Sequence, residues 1–207
     1  VGLPTLQGYG LTEASPVVSC NLPDLVEVDS VGPPFRTNQV KIAEDGEILI
    51  KGENIMLGYW NLKEETEKVI RDGWLHTGDI GELDSNNYLK ITDRKKDIIV
   101  NLGGDNISPS KVENILCLDE NIKQSFVYGD KKNYLVALIV SKKEIDKEKI
   151  KLVIENTNKS LNLVEKIKKF VLIYEEFTIE NGMLTPTLKL KRKEIIKNYK
   201  QQLENLY

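Results

Sequence analysis

The sequence predicts an α+β fold made of two units, the first mostly β-structure and the second a small mixed domain. Residues 1–93 carry 7 Lys/Arg against 16 Asp/Glu, whereas residues 94–207 carry 22 against 16. Short β-branched segments and turn residues fill the first part, and the second part adds long stretches with apolar residues at helical spacing. Since the charge step and the change of pattern coincide, we place the domain boundary between residues 93 and 94.

The first unit is expected to be built from β-hairpins. Residues 40–42 and 48–50 are apolar and β-branched, and Glu44-Asp45-Gly46 between them is a hairpin turn sequence. A further strand is predicted over residues 88–91, after the polar turn 84–87. This half should therefore be mostly sheet.

Four helices are predicted. Residues 62–70 form a short one with Asn61 as its N-cap, and the Ser108-Pro109 pair supplies the N-cap and first turn of the second. Residues 142–169 look helical and charged, and residues 192–206 should form a terminal helix with one apolar face. Strands of the second unit are expected over residues 97–100, 125–128, 134–140 and 170–174.

The composition disfavours several classes of function. Lysines of the basic half are mixed with glutamates along predicted helices, which argues against nucleic acid as a partner. Cys20 and Cys117 lack disulfide or zinc spacing, so we expect a reducing, cytoplasmic compartment. No apolar run approaches the roughly 18 residues that a membrane span needs. Because the chain starts at Val1 rather than Met, we expect an excerpt of a longer protein.

The segment from Gln7 to Glu13 combines glycines with an aromatic ring, a hydroxyl and a carboxylate. Gly8 and Gly10 would let backbone approach a ligand, and the Tyr9 ring could stack on a planar base. Thr12 and Glu13 follow, and a carboxylate can hold Mg²⁺ beside phosphate oxygens. The competing interpretation is a tight loop with one half-buried tyrosine.

Asp79, His76 and the polar run 93–97 are further candidates for a functional role. Asp79 directly follows Thr-Gly and could accept hydrogen bonds from the two hydroxyls of a ribose. His76, the sole histidine, has no nucleophile or metal partner nearby in sequence, so we expect a structural role. The polar run 93–97 lies where the charge balance changes, which suits a hinge, although a solvated turn is the alternative.

Two segments of the second unit could serve a ligand. Gly103 and Gly104 are expected to join a strand to a helix, which would let backbone lie against an extended ligand or simply make a connection. Lys189 stands in a proline-marked loop before the terminal helix, where a mobile ammonium could neutralise a phosphate leaving group. On composition alone a lysine-rich helix start is more often solvated surface.

Five segments in order decide the interpretation. They are Tyr9-Gly10-Leu11-Thr12-Glu13, Trp74-Leu75-His76-Thr77-Gly78-Asp79, Asp93-Arg94-Lys95-Lys96-Asp97, the Gly103 to Pro109 loop, and Thr185-Pro186-Thr187-Leu188-Lys189-Leu190-Lys191-Arg192. Together they resemble the adenylate-forming superfamily of acyl-CoA synthetases, adenylation domains and luciferases, over essentially the whole chain. The Thr-Pro-Thr-Leu-Lys form of the last segment, and Asp rather than Gly before Arg94, are similar to the long-chain fatty acid CoA ligases.

The resemblance implies a fold, cofactors and roles. It implies a distorted, β-barrel-like subdomain at the end of an AMP-binding N-terminal domain, followed by a mobile C-terminal domain. ATP, Mg²⁺ and CoA would be used with a fatty acid. Gly8, Tyr9 and Gly10 would line the adenine pocket, Thr12 would contact the α-phosphate, Glu13 would bind Mg²⁺, Asp79 and Arg94 would hold the ribose, Lys189 would stabilise charge during adenylation, and Gly103 and Gly104 would reach the thioester-forming site.

The same resemblance leaves questions open. In family members the phosphate loop and the acyl tunnel lie upstream of the position of Val1, so we expect this chain to be inactive alone and residues 1–24 to be poorly packed. A medium-chain or aryl-acid CoA ligase, a carrier-protein adenylation domain and a non-catalytic module stay as alternatives. A peripheral contact with the inner membrane surface and the oligomeric state are also open.

Overall fold

A computed structural model describes residues 5–141 and 145–207 of the chain. The chain divides into two compact units, Val1–Lys96 and Asp97–Tyr207. This division lies slightly beyond the boundary expected at residues 93 and 94, so that Arg94 groups with the first unit. Each unit has its own hydrophobic core.

The first unit is built around a five-stranded sheet. β3 pairs with β4, β4 with β6, and β6 with both β5 and β7, while β1 and β2 form a separate antiparallel pair. A single-turn 3-10 helix, Thr12–Ala14, follows β1. The elements are β1 (Gly8–Gly10), β2 (Val17–Cys20), β3 (Asn38–Ile42), β4 (Glu47–Gly52), α1 (Lys63–Val69), β5 (Ile70–Arg71), β6 (Trp74–Leu83) and β7 (Leu89–Arg94).

The predicted hairpin of the first unit is confirmed. β3 and β4 are antiparallel, with Ile42 opposite Ile48. Gly46 has a φ of 83°, which a turn of this kind requires and which glycine adopts without a steric penalty. The side chains of Ile48 and Ile50 are fully buried, as expected for alternate residues on the core face of a sheet.

Residues 5–24 are better packed than we expected. Ala14 and Val18 are fully buried and share a core cluster with Ile48, Ile50 and Leu89. The β1–β2 pair is also tied to the following segment, since the backbone N–H of Phe35 donates to the carbonyl of Val18 over 2.9 Å. The prediction of a poorly packed N-terminal stretch is therefore wrong for residues 5–24, and residues 1–4 lie outside the described residues.

The predicted cap of α1 is also wrong. Its N-cap is Leu62, which makes no side-chain cap, and Asn61 has a φ of 56°. Asparagine tolerates this left-handed conformation better than most residues, so Asn61 turns the chain before the helix instead of capping it.

The second unit places a three-stranded sheet between helices. β10 and β11 are antiparallel, and β11 and β12 are parallel, with α3 in the crossover between them. The elements are β8 (Ile99–Val100), β9 (Asn106–Ile107), α2 (Pro109–Leu116), β10 (Ile122–Tyr128), β11 (Leu135–Ser141), α3 (Lys147–Ser160), β12 (Ile167–Ile173) and α4 (Arg192–Glu204), with 3-10 turns at Lys95–Asp97 and Leu163–Glu165.

The central strand β11 explains why the second unit has two cores. Its residues alternate between the faces of the sheet: Leu135 and Ile139 pack with α2 and α3, whereas Val136 and Leu138 pack with α4. Every residue of β11 is buried in consequence. The predicted apolar face of the terminal helix is confirmed, because Ile195, Ile196, Tyr199, Leu203 and Leu206 all join the second of these cores.

The long helix predicted over residues 142–169 is wrong at its C-terminal end. The helix is Lys147–Ser160, and residues 142–144 lie outside the described residues. β12 begins at Ile167, opposite Leu135 of β11, so strand pairing with a distant segment overrides the local helical composition. By contrast, the predicted N-cap of α2 is confirmed, because Ser108 Oγ accepts from the backbone N–H of Lys111 over 3.2 Å.

Two features are absent from the part of the chain that the structure describes. No helix within residues 5–141 and 145–207 has the length and apolar character that crossing a bilayer requires. The same part of the chain holds no group of three or more His, Cys, Asp or Glu side chains arranged to bind a metal ion.

Candidate active site

Three of the predicted site residues meet in the first unit. Asp79 on β6 accepts a hydrogen bond from the Tyr9 hydroxyl over 2.6 Å through Oδ2, and an ion pair from Arg94 Nε over 2.8 Å through Oδ1. Asp79 and Arg94 are direct partners in the β6–β7 pairing. The Asp79 side chain is 8% exposed and that of Arg94 is 53% exposed, so the carboxylate is fixed while the guanidinium reaches solvent.

The backbone around Asp79 aims its carboxylate at Tyr9. Gly78 has a φ of 70°, and the Thr77 hydroxyl donates to the carbonyl of Ile48 over 2.8 Å. The same Thr77 oxygen accepts from the backbone N–H of Asp79 over 3.1 Å. Burial and the hydrogen bond to Asp79 raise the pKa of Tyr9 well above its usual range, so its hydroxyl stays a neutral donor.

The Asp79 carboxylate keeps free acceptor capacity. Each carboxylate oxygen has two lone pairs, and Tyr9 and Arg94 take one on each oxygen. Among the contacts of the described residues, one acceptor direction remains on each oxygen, so each oxygen can accept one further hydrogen bond. The arrangement can hold a vicinal diol next to an aromatic ring.

Glu13 is braced by the loop that follows β4. Tyr59 donates its hydroxyl to Glu13 Oε1 over 2.7 Å, and the backbone N–H of Met56 donates to the Glu13 carbonyl over 2.8 Å. Asn54 donates to the carbonyl of Ala14 over 2.7 Å. Sequence patterns gave no signal for Tyr59, because it lies 46 residues from its partner.

Glu13 has one carboxylate oxygen that can bind a magnesium ion. Mg²⁺ is usually bound by one or two carboxylates together with substrate phosphates, so it does not need a cluster of acids. Tyr59 occupies one oxygen of Glu13, which leaves the second oxygen as a ligand. Thr12 is in the same 3-10 turn and is exposed.

The glycine beside Tyr9 serves the chain's own backbone. A Cβ atom on Gly10 would lie 1.9 Å from the carbonyl oxygen of Pro16, and one on Gly8 would lie 3.1 Å from that of Ser19. Gly10 therefore allows β1 and β2 to approach closely. A direct role of these glycines in a nucleotide pocket stays a prediction.

His76 lies against a buried carboxylate that the sequence gave no reason to select. Its Nδ1 atom is 3.1 Å from Glu47 Oε2, and the same oxygen accepts from Lys95 Nζ over 2.8 Å. Glu47 Oε1 accepts from the backbone N–H of Gly78 over 2.9 Å. Burial on its own raises the pKa of Glu47, but the hydrogen bonds from Lys95, His76 and Gly78 outweigh it and lower that pKa. These contacts support a structural role for His76.

The glycine loop of the second unit differs from its predicted connection. Gly103 and Gly104 join two short strands, β8 and β9, and the helix begins only after Ser108. Gly104 has a φ of 85°, and Asn101 and Asp105 close the loop by side-chain and backbone hydrogen bonds of 2.9 Å. The loop is a preformed, exposed hairpin turn.

Lys189 projects from a second tight turn in this unit. Its backbone N–H donates to Thr185 Oγ1 over 3.0 Å, and the N–H of Thr185 donates to the Lys189 carbonyl over 2.8 Å. Leu188 has a φ of 60°, an uncommon conformation for leucine. Lys189 itself is exposed. Of the predicted site residues, Lys189, Gly103 and Gly104 belong to the second unit and the others to the first.

Comparison with known families agrees with this division. Residues 1–60 match the AMP-binding enzyme family, and residues 96–207 match the AMP-binding enzyme C-terminal domain. The second match alone covers more than half of the chain. The chain belongs to the AMP-binding enzyme family, and the predicted superfamily is confirmed.

Relatives and solved structures extend this result. The long-chain-fatty-acid–CoA ligase FadD15 of Mycobacterium bovis is 33% identical over 234 residues, which cover all of this chain and 38% of the relative. O-succinylbenzoate coenzyme A synthetase from Bacillus subtilis, solved with ATP and a magnesium ion, is 28% identical with a TM-score of 0.75, over 93% of this chain and 41% of that one.

A third similarity comes from a different type of enzyme. The adenylation domain of a carboxylate reductase from Mycobacterium chelonae is 27% identical with a TM-score of 0.81, over 98% of this chain and 34% of that one. The predicted α+β fold class, a distorted, β-barrel-like subdomain followed by a small α+β domain, is confirmed by these structures. The chain spans little more than a third of the length of the relatives it matches.

Proposed function

We propose that the chain is part of an AMP-forming acid–CoA ligase that acts on long-chain fatty acids. The enzyme would join a fatty acid carboxylate to the α-phosphate of ATP with release of pyrophosphate. It would then transfer the acyl group to the thiol of CoA with release of AMP. The arrangement of Tyr9, Asp79 and Arg94 carries the proposal, since it offers a ring and a two-oxygen acceptor to a nucleoside in a chain of the AMP-binding enzyme family.

The first unit would bind the nucleotide. Asp79 accepts hydrogen bonds from both ribose hydroxyls and is held in place by Tyr9 and Arg94. The Tyr9 ring and the backbone at Gly8 and Gly10 lie on the adenine side. The buried, preformed position of Asp79 lowers the entropic cost of fixing the ribose.

The segment after β1 would meet the phosphates. Thr12 donates its hydroxyl to the α-phosphate, and Glu13 offers its remaining carboxylate oxygen to Mg²⁺. The ion, when bound, neutralises phosphate charge. Tyr59 and the backbone of Met56 hold Glu13 so that its carboxylate does not have to be ordered during binding.

The second unit would act in both half-reactions. Lys189 stabilises the charge that develops as pyrophosphate leaves, and the Gly103-Gly104 loop serves thioester formation after a domain rotation. The predicted hinge run 93–97 begins with Asp93 and Arg94, and both residues are paired within the β6–β7 ladder. A pivot just after them, where the compact units divide, leaves these pairs intact.

The test uses the complete natural protein that contains this chain. Lys189→Ala should slow pyrophosphate release by roughly 100-fold or more, because it removes a positioned charge from the transition state. Thioester formation from pre-made acyl-adenylate should stay nearly unchanged. Lys193→Ala, which removes an exposed lysine nearby on α4, is the matched control. Equal loss of both steps in Lys189→Ala would refute its assigned role.

A second candidate keeps the first step and changes the acid or the acceptor. The likenesses to O-succinylbenzoate coenzyme A synthetase and to the adenylation domain of a carboxylate reductase favour an aryl-acid ligase or a carrier-linked adenylation domain. A panel of acids from short aliphatic to aryl to long-chain, scored by kcat/KM, decides between them. The long-chain proposal predicts a maximum with long aliphatic acids.

A further inference from the structure

A buried ion pair joins α2 to the first residue of α4. Arg192 Nη1 lies 2.8 Å from Glu113 Oε1, and the two side chains are 14% and 8% exposed. Arg192 lies at the C-terminal end of the loop that carries Lys189, and Lys189 is three residues before it in the sequence. Arg192 ends the last of the five segments, but the sequence gave no reason to expect Glu113 as its partner.

Both side chains of the pair also form hydrogen bonds with the backbone of β10. The N–H of Val127 donates to Glu113 Oε1 over 2.7 Å, and Arg192 Nη2 donates to the carbonyl of Val127 over 2.5 Å. The guanidinium also lies 4.5 Å from the centre of the Phe126 ring. The planar guanidinium makes these contacts at once, which the single ammonium of a lysine could not do.

A contribution to folding stability is a weak explanation for this buried ion pair. Burying two charges costs desolvation energy that their attraction offsets only in part, and well-packed apolar residues often do as well. A buried pair with this many directed contacts instead fixes where the chain enters α4. The start of α4 is also the C-terminal end of the Lys189 loop.

The rest of the Lys189 loop is held at its base. The backbone N–H of Lys191 donates to the carbonyl of Met183 over 2.8 Å, and Leu184 and Leu190 form an antiparallel bridge. Met183 is buried in the same core cluster as α4. Lys189 is itself exposed, so these backbone hydrogen bonds at the base of the loop are what the structure offers to hold its position.

We propose that Arg192 is a positioning residue for Lys189, with Glu113 as its fixed counter-charge. This inference rests on the proposed role of Lys189 in adenylation. Arg192 does not touch the substrate in this account. It holds the loop so that the ammonium of Lys189 reaches the leaving pyrophosphate, and a shift of the loop by about 1 Å is enough to lower the rate by up to about 100-fold.

The experiment measures the two half-reactions in the complete protein. Arg192→Lys should lower the rate of pyrophosphate release by roughly 10- to 100-fold, with the KM for ATP and thioester formation from pre-made acyl-adenylate each within about twofold of wild type. Lys193→Ala is the control for removal of a neighbouring positive charge. Equal loss in both half-reactions would mean a purely structural pair and would overturn the proposal.

The same Arg192→Lys change made in the Lys189→Ala protein tests whether Arg192 affects adenylation through Lys189 or independently of it. When Lys189 is already alanine, Arg192→Lys should add no more than about a twofold loss of adenylation, because the two changes affect one function. An additive loss overturns the proposal. If Arg192→Lys unfolds, the double variant Glu113→Gln/Arg192→Met removes both charges of the pair together and carries the same expectations.

The outcomes also separate this inference from the proposed function. Slow adenylation in Lys189→Ala with normal adenylation in Arg192→Lys overturns only the positioning role. Unchanged adenylation in Lys189→Ala overturns the assigned function of Lys189 and the positioning role with it.

Discussion

Replacement of Asp79 by asparagine separates nucleotide binding from folding. The amide has one acceptor oxygen, whereas the carboxylate serves Tyr9 and Arg94 on different oxygens. The Tyr9 bond is buried, but Arg94 is 53% exposed, so solvent screens the ion pair to at most about 1 kcal/mol. Asparagine can keep the Tyr9 bond, and we expect a loss of about 1 kcal/mol in unfolding free energy.

The loss in nucleotide affinity should be larger than the loss in stability. One ribose hydroxyl loses a hydrogen bond to a charged acceptor, which is worth about 1.5–3 kcal/mol, or roughly 10- to 150-fold in the Kd for ATP. Isothermal titration of ATP into the complete protein measures this Kd, and chemical denaturation measures the stability. Tyr9→Phe keeps the aromatic ring and removes the other bond to the same carboxylate, so it measures separately what the loss of that support costs.

A folded Asp79→Asn protein with an unchanged Kd for ATP would refute the ribose assignment. Loss of ATP binding in parallel with global unfolding would instead assign Asp79 to the fold. A reduced affinity for ATP should also extend to AMP, since both nucleotides carry the same ribose.

Three other predictions test neighbouring contacts. Tyr59→Phe should release the Glu13 carboxylate. It should therefore change the Mg²⁺ concentration at which the increase in melting temperature with AMP is half-maximal. An unchanged Mg²⁺ dependence would show that the Tyr59 hydrogen bond does not position Glu13. The lowered pKa of Glu47 gives stability that is present at neutral pH and is lost as pH falls through the folded value. Glu47→Gln should therefore flatten the acid limb of stability measured by denaturation from pH 7 to 3, and an unaltered limb would show that the contacts of Glu47 with Lys95 do not matter. Gly10→Ala should lower the melting temperature, since its Cβ would lie 1.9 Å from a carbonyl oxygen, and a wild-type value would show that the strands can separate freely.

Features fixed by local chemistry were predictable from the sequence. The Asp-Gly turn specifies the β3–β4 hairpin, and Ser108 with Pro109 specifies the start of α2. The apolar face of α4 follows from its spacing. Each of these depends on residues within about one turn or one hairpin of each other.

Features that depend on distant pairing were not predictable. The early start of β12 is set by its register on β11, and the packing of residues 5–24 is set by β4 and β7. The contact of Tyr59 with Glu13 spans 46 residues, and that of Arg192 with Glu113 spans 79. No period or turn signal reports such contacts, because they arise only once the units are folded.

The candidate site was partly predictable. The motif resemblance selected Asp79 and Arg94 together, and the β6–β7 register explains why they are neighbours. The resemblance did not indicate that Tyr9 would donate its hydroxyl to Asp79, since it assigned Tyr9 only through its ring. Polar partners of a recognised residue therefore need the folded structure.

Acid-dependent exchange of labelled pyrophosphate into ATP tests the central claim most directly, because it reports adenylate formation without CoA. The complete protein should exchange pyrophosphate in the presence of Mg²⁺ and a long-chain fatty acid, and Asp79→Asn should require more ATP to do so. Absence of exchange in a folded protein with every carboxylic acid of the panel would contradict the account.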